Sequence, residues 1–173
     1  MDFIWTQEHL YSVLPNPIRY FLMHGELTGR ENDCLMAVGN LTSTGWAARV
    51  KDVAVEMQVS PPTAVEYLEK LARVKLVEKG ATGYRLSAEG ARQVDELVRV
   101  HRLFETLLFR TGMSLEEAHR ISSSIDRHVD SKGAAVLCAR LNHPKMCPHD
   151  RPIPAGDEYD YSRLAHKESG RPQ

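Results

Sequence analysis

No apolar run in the sequence approaches the ~18 residues that cross a bilayer as a helix. The amino terminus also lacks a basic stretch followed by a continuous apolar core, so neither a membrane span nor a secretory signal is expected. Cysteine is scarce. Cys34, Cys138 and Cys147 are too few and too scattered for a disulfide framework, which points to a reducing, cytoplasmic setting. An excess of one charge is missing too. With a net charge of −1 and a pI of about 6.7, a general basic coat for nucleic acid is excluded, and any DNA-binding face has to be local. There is no internal repeat. What remains is an ordinary globular composition, 42% hydrophobic and 26% charged, in 173 residues, enough for one domain or for a small one with a helical extension.

The most informative stretch is residues 50–86. Val50, Val53, Ala54 and Met57 fall at i, i+3, i+4, i+7, one apolar face of a short helix. After Gln58-Val59 comes Ser60-Pro61-Pro62-Thr63, where Ser60 suits an N-cap and Pro61 the first helical position, whose amide hydrogen has no partner to lose. Ala64, Leu68 and Leu71 then repeat along a second helix. Val77-Glu78-Lys79 and Tyr84-Arg85-Leu86 flank Gly80-Ala81-Thr82-Gly83, which reads as a hairpin. Helix, tight turn, helix and hairpin make a winged helix-turn-helix, whose second helix enters a major groove; the plainer reading is a small α+β core. Seven basic residues, counting Arg49 just before this stretch, against five acidic ones give a modest footprint for phosphates. The expected groove contacts are Ser60, Pro61, Pro62, Thr63 and Glu66, with the prolines near thymine methyls and Glu66 accepting from a cytosine amine. The expected phosphate contacts are Lys51, Lys70, Lys79 and Arg85.

Elsewhere the chain reads as helix and wrap. Residues 1–30 form an amino-terminal extension broken by Pro15 and Pro17. Thr28-Gly29-Arg30-Glu31 has the form of a capping box opening a helix to about Leu41, with Cys34, Leu35, Val38 and Leu41 inward. A helix from Ser87 to about Arg110 carries Val94, Leu97, Val98, Phe104, Leu107 and Leu108 as its apolar stripe, and Gly112 ends it. Ser114 starts the next helix, and a last one carries Ala134, Ala135, Leu137, Cys138 and Leu141. Beyond Asn142 the prolines forbid regular helix, and residues 155–173 are expected to be a disordered tail.

Two of these helices carry chemistry. His101 and Glu105 stand four apart on the first, and His119, Ser123 and Asp126 share a face of the second. Two imidazoles and two carboxylates suit a first-row divalent metal, and without a thiolate the cluster does not look like a zinc-finger site. The same residues could instead pair with one another as satisfied interface groups. His143, Cys147 and His149 read as a structural wrap or as a separate metal or redox site.

From about Glu31 to Pro154 the sequence resembles the diphtheria toxin repressor family of metal-dependent transcriptional regulators. The resemblance is carried by Val59-Ser60-Pro61-Pro62-Thr63, by Val100-His101-Arg102-Leu103-Phe104-Glu105, and by His143-Pro144, Cys147-Pro148-His149 and Pro152-Ile153-Pro154. It implies a mainly α fold with a small β-wing: a winged-helix DNA-binding domain over residues 31–87 and a helical dimerisation and metal domain over 88–154. It also implies a homodimer on a palindromic double-stranded operator, with Mn2+ or Fe2+ as the signal. His101, Glu105 and His119 match all three helix positions of the family's ancillary metal site. Asp33 matches the ligand position at the start of the first helix, and Asp126 matches a glutamate of the primary site. Ser123, Arg127 and Met36 depart from the family's ligands at their positions. In the family, metal couples the first helix to the dimerisation domain and sets the spacing of the recognition helices.

Three functions follow from these residues. The first is a DNA-binding regulator switched by Mn2+ or Fe2+ at His101, Glu105, His119, Asp33 and Asp126. The second keeps fold and DNA binding but replaces the primary-site metal with the Arg127 guanidinium, leaving control to another signal such as a thiol change at Cys34 or Cys147. The third, a metallohydrolase, lacks an activated nucleophile or paired acids, so an enzyme is not expected.

Overall fold

A computed structural model describes residues 27–156, the side chain of Arg127 excepted. The expected disordered tail and nearly all of the amino-terminal extension lie outside the described residues. The chain divides at Ser87/Ala88 into two compact units, each built on its own core.

In the first unit, helix α1 (Gly29–Thr42) starts on the expected capping box: Glu31 N–H donates to Thr28 Oγ1 at 3.4 Å, and Thr28 N–H donates to Glu31 Oε2 at 2.8 Å. Helix α2 (Val50–Glu56) and helix α3 (Pro61–Arg73) are joined by a turn in which Gln58 takes a φ of 54°. Ser60 caps α3 by accepting from Thr63 N–H at 3.3 Å, and Pro61 and Pro62 fill the first turn. Strands β1 (Val77–Gly80) and β2 (Gly83–Leu86) form the antiparallel wing, with Lys79 opposite Tyr84 and Gly80 opposite Gly83. An addition to the expected pattern is Ala48, which pairs with Tyr84 on the other edge of β2. That pairing explains Gly83: a Cβ there would stand 2.5 Å from the Ala48 carbonyl oxygen. Leu35, Val38, Val53, Ala64, Leu68, Leu71 and Leu76 make the core and are fully buried. Truncating one such leucine to alanine costs about 2–5 kcal/mol.

The second unit is framed by α4 (Ala88–Arg110), about 34 Å long at 1.5 Å per residue. Gly112, at a φ of 95°, lets the chain turn away after it. Helix α5 (Leu115–Ile125) is capped by Ser114, whose Oγ accepts from Glu117 N–H at 3.3 Å. A 3-10 turn (Asp126–His128) follows, and then α6 (Ser131–Arg140), capped by Asp130 through Gly133 N–H at 2.7 Å. Val100, Leu103, Ala134 and Leu141 form the core, with Phe104, Leu107, Leu137 and Ile153 packed against it. Residues 142–156 form an irregular strap. Met146 pairs with Pro152, Cys147 N–H donates to the Arg151 carbonyl at 2.9 Å, and Arg102 Nη1 donates to the Pro152 carbonyl, which ties the strap to α4. Among the described residues no helix is long and apolar enough to cross a membrane.

Candidate metal centre and DNA-reading face

Glu105 is the hub of the second unit. The 3.6-residue period of α4 puts it one turn below His101 on the same face, and the packing of α4 makes it 1% exposed. A carboxylate in that position needs partners. It accepts from His119 Nδ1 on α5 at 2.9 Å and lies 3.0 Å from His149 Nδ1 on the strap and 3.7 Å from His101 Nε2. His101 Nε2 and His119 Nδ1 are themselves 3.2 Å apart. Cys147 completes the set: its thiol hydrogen-bonds Glu105, and Glu105, Cys147 and His149 present donor atoms within 4.8 Å of one another. Burial pushes the Glu105 carboxyl up, but the hydrogen bonds from His119, His149 and Cys147, with the field of His149, outweigh it and hold the group below its ordinary value. Glu105 is therefore a carboxylate at neutral pH.

These residues fit a divalent cation. Donors that share an ion at ~2.0–2.3 Å stand roughly 3–4 Å from one another, the spacing found here among the imidazoles and the charged carboxylate. His119, with a side chain 57% exposed, leaves the cluster open to solvent on one side.

Three expectations change. The cluster does contain a sulfur donor, Cys147. Cys147 and His149 share Glu105 with His101 and His119, so that two triads, His101–Glu105–His119 and Glu105–Cys147–His149, meet at one carboxylate. His143 is turned elsewhere, with its Nδ1 3.5 Å from Cys138 Sγ. Sequence reasoning singled out Cys147 and His149 but had no signal for where the strap would lay them.

Asp126 does not reach Glu105. Its Oδ2 lies 3.0 Å from His101 Nδ1, the ring nitrogen on the far side of that imidazole. Ser123 Oγ donates to the His119 carbonyl of its own helix at 3.0 Å. Asp33 stands on α1 in the first unit, exposed, 3.9 Å from Arg30 Nη1. Whether Arg127 turns toward the cluster falls on a side chain outside the described ones. Cys34 is fully buried, and burial, with the nearby Asp33 and Glu31 charges, pushes its thiol up to about 12, so it presents no thiolate to an oxidant.

On the first unit, Ser60, Pro61, Pro62 and Glu66 are exposed along the start of α3, and Thr63 is half-buried. The Ser60 and Thr63 hydroxyl oxygens are 2.8 Å apart. Lys51 and Lys79 are exposed, and the Lys79 ammonium lies over the Tyr84 ring at 5.8 Å. Two of the four cations expected on phosphates have partners within the unit. Lys70 Nζ binds Glu31 Oε1 at 2.5 Å, and Arg85 Nη2 donates to the Gly45 carbonyl at 2.7 Å.

Comparison with known proteins agrees with this arrangement. A family described as "Iron dependent repressor, metal binding and dimerisation domain" matches residues 87–155. An uncharacterised HTH-type transcriptional regulator of Aeropyrum pernix is 29% identical over 115 residues, 66% of this chain and 64% of that protein. The transcriptional regulator MntR of Escherichia coli O6:H1 is 30% identical over 102 residues, 58% of this chain and 66% of that protein. The crystal structure of ScaR with bound Zn2+ superimposes with a TM-score of 0.66 at 34% identity, over 72% of this chain and 59% of that one. The match to the two curated relatives thus spans just under two thirds of their length.

Proposed function

The chain belongs to the diphtheria toxin repressor family of metal-dependent transcriptional regulators, and from that premise we propose that it is a homodimeric DNA-binding regulator switched by a divalent metal at Glu105. The observation that carries the reading is the buried, charged Glu105 surrounded by three imidazoles and a thiol, none of them a permanent cation. His101, Glu105, His119, Cys147 and His149 would hold the ion, which when bound supplies a fixed positive charge among α4, α5 and the strap. Of the two metals expected, the Cys147 sulfur and the imidazoles favour Fe2+ over Mn2+, whose preference is for oxygen donors.

The DNA contacts proposed are Ser60, Pro61, Pro62, Thr63 and Glu66 at base edges and Lys51 and Lys79 at phosphates, with Lys70 and Arg85 contributing charge from their paired positions. Dimerisation through α4 draws support from its half-buried Val94, Leu97, Val98, Leu107 and Leu108 and from Phe109, which is 45% exposed. A two-fold dimer would place two α3 helices on a palindromic operator. No catalytic activity is proposed, since the family consists of transcriptional regulators.

A second reading, metal-independent DNA binding, draws on Ser123 and Asp126, both committed to other partners at positions where the family has primary-site ligands. Anisotropy on DNA from upstream of the protein's own gene separates the two. After chelation the metal-switched regulator binds weakly and recovers with Fe2+ or Mn2+; the metal-independent one binds throughout.

A further inference from the structure

We propose that Asp126 is a positioning residue for His101: it holds the ring in the Nδ1–H form and so turns the Nε2 lone pair toward Glu105 and His119. The inference rests on the metal reading for its purpose but not for its geometry. A neutral imidazole carries one ring hydrogen, and its two nitrogens point in divergent directions. His101 Nδ1 lies 3.0 Å from Asp126 Oδ2, and His101 Nε2 lies 3.2 Å from His119 Nδ1 and 3.7 Å from Glu105 Oε1. A carboxylate only accepts hydrogen bonds, so a bare Nδ1 would leave two lone pairs opposed across 3.0 Å. The hydrogen therefore sits on Nδ1.

The remaining contacts agree with that assignment. His119 Nδ1–H can then donate to Glu105 Oε1 at 2.9 Å, with the His101 Nε2 lone pair as its second acceptor at 3.2 Å. With the hydrogen on His101 Nε2 instead, that 3.2 Å contact would set two N–H groups against each other whenever His119 donates to Glu105. Asp126 is well placed for the task. It is the C-cap of α5 and the first residue of the 3-10 turn, so its backbone is fixed from both sides, and its side chain is only 20% exposed. Histidines that bind metals commonly donate their other ring N–H to a carboxylate, which fixes the tautomer and raises the basicity of the ligating nitrogen.

The test begins with the metal-free full-length protein. Two-dimensional 15N NMR of the histidine side chains at about pH 8, above the ordinary imidazole range, reads the His101 tautomer directly. Wild type is expected in the Nδ1–H form. Asp126→Ala is expected to move His101 toward the Nε2–H form, while Asp126→Asn, which keeps an acceptor oxygen, retains Nδ1–H. Titration with Co2+ alone should show about 10–100-fold weaker binding for Asp126→Ala at unchanged stoichiometry, and a smaller loss for Asp126→Asn. An Nε2–H tautomer in wild type overturns the proposal without any variant. A tautomer unmoved by Asp126→Ala overturns it as well, and loss of the Co2+ stoichiometry would make Asp126 a ligand in its own right. Failure of wild type to bind Co2+ would count against the metal reading alone, because the tautomer is measured without metal.

Discussion

Two glutamates, one in each unit, are buried and charged, and they are satisfied in opposite ways. Glu31, 5% exposed, meets a permanent cation: burial works against its charge, but Lys70 at 2.5 Å outweighs it, and the carboxyl is held below its ordinary value of 4.5. Glu105, 1% exposed, meets only His119, His149, His101 and Cys147, whose hydrogens can leave. The first pair is closed and links α1 to α3. The second is open, because every one of its partners becomes a metal ligand on giving up a proton or offering a lone pair. A buried acid with a fixed counter-ion holds structure, whereas a buried acid with exchangeable partners is a place for a cation.

The largest expected effect comes from removing the open acid. Glu105→Gln keeps the shape but not the charge and should weaken Co2+ or Fe2+ binding beyond the 10–100-fold typical of outer-shell changes, read by competition with a chromogenic chelator. Binding unchanged by this substitution would end the comparison. Next is the closed pair. Lys70→Ala leaves Glu31 without its cation and should cost about 1–2 kcal/mol in urea unfolding, less than a fully buried pair because Lys70 is 39% exposed. The sign with pH follows from the lowered Glu31 value. The pair's contribution is complete above about pH 4.5 and is lost as pH falls through the folded-state value, so the gap between wild type and Lys70→Ala should close on acidification.

The alternating, periodic parts of the molecule were legible in the sequence, and the irregular ones were not. Val53, Leu68 and Leu71 announced their helices by spacing, Thr28, Ser60 and Ser114 announced where helices start, and Gly80 and Gly83 marked the wing turn. His101, Glu105 and His119 were legible for the same reason, since they sit on long helices whose faces can be counted. Cys147 and His149 were visible as residues but not as part of that cluster. The strap has no period, and its path is set by distant contacts: Arg102 on the Pro152 carbonyl and Ile153 in the core. Sharing a face with His119 puts Asp126 among the metal ligands expected from the sequence. The 3-10 turn that begins at Asp126 departs from the helical period, and its carboxylate meets His101 from behind. Lys70 was expected on a phosphate because a lone lysine on a helix carries no mark of the acid it will meet 39 residues away.

Two smaller effects sharpen the comparison. Cys147→Ser replaces the soft donor with a hard one and should lower the preference for Fe2+ over Mn2+ by about tenfold, seen in paired competition titrations. A preference left unchanged would mean that the thiol only fills space beside Glu105. On the first unit, Lys79→Ala should weaken binding to all DNA sequences by a few-fold and reduce the salt dependence by roughly one phosphate contact. A change in base preference instead would move Lys79 from the backbone to a base edge.

The most direct test of the central claim is operator anisotropy for wild type and Glu105→Gln side by side, first in chelator and then with Fe2+ restored. Wild type is expected to bind tightly only with metal, and Glu105→Gln to stay weak in both conditions. Equal, tight binding by the chelated wild type would contradict that claim, and the open acid in the second unit would then be no switch.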